Sequence, residues 1–178
     1  FHCLVFKSNE RKKNVNGLFI GRFQPFHLGH LAAVKFALTQ VDTLAIGIGS
    51  SNKFNEKRNP FTAEERKEMI ESSVEKLDLD RCKIYFVPDV NDHAKWTYHV
   101  DNIIPNYDIV FSNDEFTHEL YEKRGIKVVS VPLKQREILS GTDIRMKISS
   151  GQSWSEFVPT GTEKILLKIN AQDRLAKL

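Results

Sequence analysis

From Gly17 onward the chain alternates short apolar runs with helical patterns, and this alternation restricts the fold more than any other feature of the sequence. Leu18-Phe19-Ile20 reads as a buried strand. His30–Gln40 reads as a helix with Leu31, Val34, Ala37 and Leu38 on one face, and Thr43–Ile48 as a second strand. Thr62–Leu77 is expected to be helical, with Thr62 as its cap and Glu65 placed to complete a capping box. Further strands are expected at Lys83–Val87, Asp108–Phe111 and Lys127–Val131. Helices are expected near Trp96–Ile103, at Glu115–Arg124 closed by Gly125, and at Thr142–Ser149 and Glu163–Leu175. Strands separated by helices cannot pair through tight hairpins, so they pair in parallel under helical cover. The fold class is therefore α/β: a doubly wound parallel sheet of five strands with helices on both faces and further helices at the C-terminus. Ligands of such sheets bind beyond the carboxyl ends of the strands, where the strand order reverses.

No internal repeat, low-complexity tract or linker divides residues 17–178, which read as a single domain; residues 1–16 read as a solvated, flexible leader. A formal charge of +3 with no Lys/Arg stripe and no interleaved aromatics argues against a nucleic-acid binder. No apolar run approaches the ~20 residues of a bilayer span, so no membrane partner is expected. Cys3 and Cys82 form no ligand pattern, and two thiols without a secretion signal fit a reducing cytoplasm.

The loop between the first strand and first helix, Gly21-Arg22-Phe23-Gln24-Pro25-Phe26-His27-Leu28-Gly29-His30, carries the chemistry. It occupies the phosphate-binding position of a doubly wound fold, yet it is neither GxGxxG nor a Walker A sequence. It offers a guanidinium, two imidazoles three residues apart and a glycine that permits close approach. His30 lies near the helix start, where free N–H groups and the positive dipole end favour an anion.

GRFQPFHLGH resembles the signature of the nucleotidyltransferase superfamily with an (H/T)xGH motif, in the form of the archaeal-type nicotinamide-nucleotide adenylyltransferases. Three further segments are similar in the expected order: Gly47–Ser51, the Arg58-Asn59-Pro60-Phe61-Thr62 to Arg66 stretch, and Ser140-Gly141-Thr142-Asp143-Ile144-Arg145. The resemblance spans about Gly17 to Leu175. It implies a Rossmann-like fold and transfer of AMP from ATP to nicotinamide mononucleotide, giving NAD and pyrophosphate.

What the resemblance implies for individual residues follows its motifs. His27, His30, Arg22 and Arg145 form the catalytic set, with His30 stabilising the α-phosphate. Gly21, Phe23, Gln24, Gly29, Asn113, Ser140 and Thr142 bind ATP. Ser50, Arg58, His93 and Trp96 receive the acceptor, with Arg58 on its phosphate and Trp96 stacked on its ring. Where relatives read N-x-x-W, this chain has His93-Ala94-Lys95-Trp96. Each arginine has surface solvation as its alternative, and Trp96 has ordinary packing; Trp154 reads as packing. Mg²⁺ is expected to ride on the ATP phosphates rather than in a carboxylate cage, with no protein metal ligand assigned. Relatives are commonly hexamers, so a homo-oligomer is implied. Rival acceptors are nicotinate mononucleotide, FMN and phosphopantetheine. A non-catalytic ATP/NAD sensor is the rival of another class.

Overall fold

The computed structural model describes residues 12–132 and 140–178. Residues 1–11 of the expected leader, including Cys3, lie outside the described residues. Five parallel strands, β1 (Asn16–Gly21), β2 (Thr43–Gly49), β3 (Cys82–Val87), β4 (Ile109–Phe111) and β5 (Lys127–Val129), form a sheet in the order β3-β2-β1-β4-β5. The order reverses between β1 and β4. The helices are α1 (Leu28–Leu38), α2 (Ala63–Ser73), α3 (Lys76–Leu79), α4 (Trp96–Ile103), α5 (Glu115–Glu122), α6 (Gly141–Ser149), α7 (Thr160–Lys168) and α8 (Ala171–Ala176).

The two-residue period of a strand divides the core. Phe19 points into a cluster with Val34, Ala37, Met69, Ile70, Ile144, Ile148, Ile165 and Leu166, which places α1, α2, α6 and α7 on one face. Its neighbour Leu18 joins Val87, Val100, Ile104, Val110 and Tyr121 on the other face, under α4 and α5. Residues from both sides of β1 are thus buried, as a central parallel strand requires. A Cβ on Gly161 would lie 2.3 Å from the Ser72 carbonyl, so only glycine lets α7 approach α2 this closely. Trp154 packs against the larger cluster, as the sequence suggested.

Several element boundaries differ from the sequence reading, most of all at three helices. The first helix starts at Leu28, which makes His27 its cap and puts His30 within its first turn. The expected helix Thr62–Leu77 stops at Ser73, because Val74 turns extended and buries its side chain while Leu77 is 82% exposed. The expected helix Glu163–Leu175 is two helices, α7 and α8, broken where Asn170 adopts a left-handed φ of 51°, which an Asn tolerates better than most residues. Strand β1 also takes in Asn16, whose side chain bonds the Asn106 carbonyl and Thr43.

Candidate active site

The exits of β1 and β2 are held together by one buried side chain. Arg66 on α2 is fully buried, and its guanidinium donates to the carbonyls of Thr62, Arg22, Gly49 and Ser50 at 3.1, 2.8, 2.8 and 3.2 Å. Two residues at these exits, Phe23 (φ 52°) and Ser50 (φ 47°), stand in the left-handed region that a bulky side chain rarely enters. Such strain persists where the surroundings over-determine the backbone, and Arg66 supplies that constraint. Burial pushes its pKa down to about 10. In the sequence Arg66 closes the segment that begins at Arg58, and motif order alone gives it no role. The available signal was its spacing, since Ala63, Arg66, Met69 and Ile70 form the buried face of α2.

His27 and His30 cap α1 reciprocally. The His27 Nδ1 accepts from the Gly29 and His30 N–H groups at 3.1 and 3.3 Å, while the His30 Nδ1 accepts from the His27 N–H at 3.2 Å. The HxGH spacing is thus a capping box built from imidazoles, with the rings stacked at 3.6 Å. Burial drives the His27 pKa down to about 4; for His30, burial and the neighbouring His27 drive it well below the ordinary value. The His30 ring is surrounded by Phe19, Phe23 and Phe26. Neutral imidazoles that accept at Nδ1 carry their proton on Nε2, so each ring holds one N–H donor on the side away from the backbone. This corrects one expectation. The first-turn N–H groups of Gly29 and His30 are occupied by His27, so the donors on offer are the imidazole Nε2–H groups.

Arg145 links the second signature to this loop. Its guanidinium donates to the Gln24 carbonyl at 2.7 Å and to the Thr142 hydroxyl at 3.3 Å. A Cβ on Gly141 would lie 3.3 Å from the same Gln24 carbonyl, so the start of α6 abuts the first loop. Burial depresses the pKa of Arg145, with Arg22 and Arg58 adding to the effect; burial and Arg58 depress that of Arg22. Arg22 and Arg58 line one cleft, and their charges reach Arg145, which lines neither that cleft nor the cavity beside it. Among the described residues none of them forms an ion pair with a carboxylate. Neighbouring cations without a carboxylate within salt-bridge distance raise the local positive potential, which favours an anion.

An open cleft of about 950 Å³ collects all four expected acceptor residues, Ser50, Arg58, His93 and Trp96, together with Arg22. A cavity of about 340 Å³ shares Arg22, Ser50 and Trp96 with it and adds Gly21 and the end of β4. Trp96 is half-buried and meets Tyr121 edge-on at 6.2 Å. Tyr121 is in turn held through Tyr107 by Asp101, which also pairs with Arg124. His93 is exposed and opens a short 3₁₀ turn capped by Asp92.

Three expected ATP contacts have other work for their side chains. Gln24 is buried and exchanges two bonds with the Phe61 backbone, at 3.1 and 3.0 Å, and Phe23 is packed among aromatic rings. The Asn113 amide bridges both ways to Val131, at 3.0 and 2.8 Å. These residues shape the backbone around the site, and their side chains do not point free into it. Ser140 caps α6 without a side-chain bond to its own helix. His27, His30 and Arg145 line neither cavity; Arg22, in the same loop as the histidines, lines both, and Arg145 is tied to that loop at the Gln24 carbonyl. Among the described residues no three His, Cys, Asp or Glu side chains gather to hold a metal. Nor is any described helix long and apolar enough to cross a membrane.

Comparison with known proteins agrees with this geometry. The model of the cytidylyltransferase-like family matches residues 18–147. The nicotinamide-nucleotide adenylyltransferase of Thermococcus kodakarensis is 37% identical over 91% of this chain and 87% of its own. That of Saccharolobus solfataricus is 38% identical over 91% of this chain and 95% of its own. In fold, the chain is similar to a bifunctional NMN adenylyltransferase/ADP ribose pyrophosphatase of Francisella tularensis solved with AMP and a manganese ion, with a TM-score of 0.74 at 24% identity. The match covers 92% of this chain and 52% of that one, so this chain spans about half the bifunctional protein. Signature loops, strand order and similarity over nearly the whole chain converge: it belongs to the nicotinamide-nucleotide adenylyltransferases of the cytidylyltransferase-like family.

Proposed function

We propose that the chain transfers AMP from ATP to nicotinamide mononucleotide, giving NAD and pyrophosphate. The carrying observation is the group of three unpaired guanidiniums, Arg22, Arg58 and Arg145, beside two imidazoles locked as Nε2–H donors. An oxygen of the acceptor's 5′-phosphate forms a bond to the α-phosphorus, and the bond from that phosphorus to the bridging oxygen of pyrophosphate breaks. A phosphate monoester has a second pKa of ~6, so its oxygen is largely ionised at neutral pH and needs no general base. Charge grows on the α-phosphate oxygens and the leaving pyrophosphate, and fixed donors that need no reorganisation stabilise it. His30 is the donor for the α-phosphate, His27 for the adjoining phosphates, and Arg22 and Arg145 hold the polyphosphate. Arg58 clamps the acceptor phosphate, and Trp96 supports the pyridinium ring with a flat π-face that also favours its positive charge.

A divalent cation such as Mg²⁺ enters on the nucleotide, which suits an ion that keeps several waters and binds phosphate oxygens. The resemblance also carries the expectation of a homo-oligomer, which the molar mass in solution tests. The deciding experiment incubates purified protein with ATP, Mg²⁺ and each of nicotinamide mononucleotide, nicotinate mononucleotide, FMN and phosphopantetheine, and follows dinucleotide and pyrophosphate together. NAD and pyrophosphate in equal amounts are expected. ATP binding without pyrophosphate release in the presence of any of these acceptors would make the chain a sensor.

A further inference from the structure

We propose that Asp89 determines specificity, selecting an acceptor whose ring carries a neutral carboxamide and rejecting one whose ring carries a carboxylate. The inference rests on the adenylyl-transfer reading above and concerns the ring end of the same cleft.

Asp89 follows β3 and lines both the large cleft and the smaller cavity, as do Trp96, Ser50 and Arg22. It therefore borders the same two spaces as Trp96, the aromatic residue proposed to receive the ring. Its position is set from three sides. The Ser50 hydroxyl donates to its Oδ1 at 2.8 Å, its own N–H donates to the Asn52 Oδ1 at 2.9 Å, and the Lys53 ammonium stands 3.8 Å from its Oδ2. Two other carboxylates border these spaces. Asp114 is occupied in capping α5, accepting from the Thr117 N–H and hydroxyl at 2.8 Å each. Glu56 accepts from the Asn59 amide at 3.2 Å within its own turn. Asp89 is the carboxylate common to both spaces.

A carboxylate beside a stacked pyridinium has two effects. It favours the ring's positive charge, which both mononucleotides share. It also accepts a hydrogen bond from a carboxamide –NH₂, whereas a ring carboxylate has no proton to offer and repels it. Arg22, Lys53, Lys57, Arg58 and His93 also border the large cleft and work the other way, attracting any anion, and Arg22 borders both spaces with Asp89. Lys53 is the nearest of these to Asp89 and is already paired with it. The net preference therefore turns on whether the Asp89 charge is present, and in the water-like dielectric around an exposed side chain one such charge about 3–4 Å away is worth roughly five- to tenfold.

The test measures kcat/KM for nicotinamide and nicotinate mononucleotides with the full chain at saturating Mg·ATP, for the native protein, Asp89→Asn and Lys53→Gln. The native protein is expected to favour the amide by about tenfold or more. Asp89→Asn is expected to narrow that ratio about fivefold or more, chiefly by improving use of nicotinate mononucleotide, and Lys53→Gln to widen it. A native protein that uses both acceptors equally, or an Asp89→Asn that slows both in the same proportion, overturns the assignment and leaves adenylyl transfer intact. If no native turnover occurs with either acceptor, the underlying reading falls with it. An Asp89→Asn protein that fails to fold leaves the decision to Lys53→Gln, where an unchanged or narrowed ratio is the refuting result.

Discussion

The two ends of the site are built in different ways. At the phosphate end, His27 and His30 cap each other's backbone, Arg145 is tied to Gln24, Gln24 is tied to Phe61, and buried Arg66 clamps both strand exits. At the acceptor end, Arg58 and His93 are exposed, and Trp96 leans on Tyr121 across an open cleft. Charge development on phosphorus rewards donors that do not move, so that end is interlocked and partly dry. Recognition of a ring needs only a surface and a few polar groups, and it can be carried by loops. The contrast says which variants should damage chemistry and which only binding.

The largest effect is expected at His30. His30→Ala removes a donor aimed at charge that grows during the reaction, so kcat should fall about 10²- to 10³-fold while the KM for ATP changes only a few-fold. Steady-state kinetics with ATP varied checks this. Equal losses in kcat and ATP affinity would mean that the imidazole merely holds the ground state, and the phosphate end would then resemble the acceptor end.

Arg66 comes next. Arg66→Met leaves the buried carbonyls of Arg22, Gly49 and Ser50 without their donor, at about 1 kcal/mol each, so stability should drop by about 3 kcal/mol. Chemical denaturation measures it. By comparison, Arg58→Ala on the exposed loop should leave the unfolding midpoint unchanged while raising the acceptor KM.

How far the sequence reveals these ends differs as well. Strand–helix alternation and the HxGH spacing place the sheet and the reacting loop, because burial period and loop chemistry are local properties. Motif order singles out Trp96 and Arg58, and the structure brings them into one cleft. Arg66 was not legible as a site residue, because its role depends on carbonyls 13–44 positions away that only the folded chain assembles. The side-chain partners of Gln24 and Asn113 are hidden for the same reason, since an amide in a loop looks free until its backbone partner arrives from another segment. The break at Asn170 escaped notice because the apolar spacing continues across it through Ile165, Leu166 and Ala171.

At the acceptor end, Trp96→Ala should raise the KM for the mononucleotide about tenfold, the lower part of the range for loss of one base–aromatic stack, and leave the KM for ATP nearly unchanged. Parallel changes in both constants would show that the indole shapes the whole site through Tyr121, and the division between the two ends would dissolve.

The smallest effect separates the ends by pH. Burial holds His27 at about 4 in the folded chain, against 6.5 for a free imidazole. The unfolded chain therefore binds more protons between those values, and linkage makes stability decline as pH falls below 6.5, with the decline ending near 4. Above 6.5 both states leave His27 neutral and it contributes no slope. From about pH 7 to about pH 5.5 this one residue should cost about 1 kcal/mol, measured as a shift in the denaturation midpoint without ligand. His27→Gln, which keeps a side-chain acceptor for the cap but cannot titrate, should reduce the slope by the share of His27 and leave that of His30, which burial also holds well below its ordinary value. If the slope persists unchanged in the variant, protonation at another site is responsible, and the imidazoles are not held neutral by the loop that buries them.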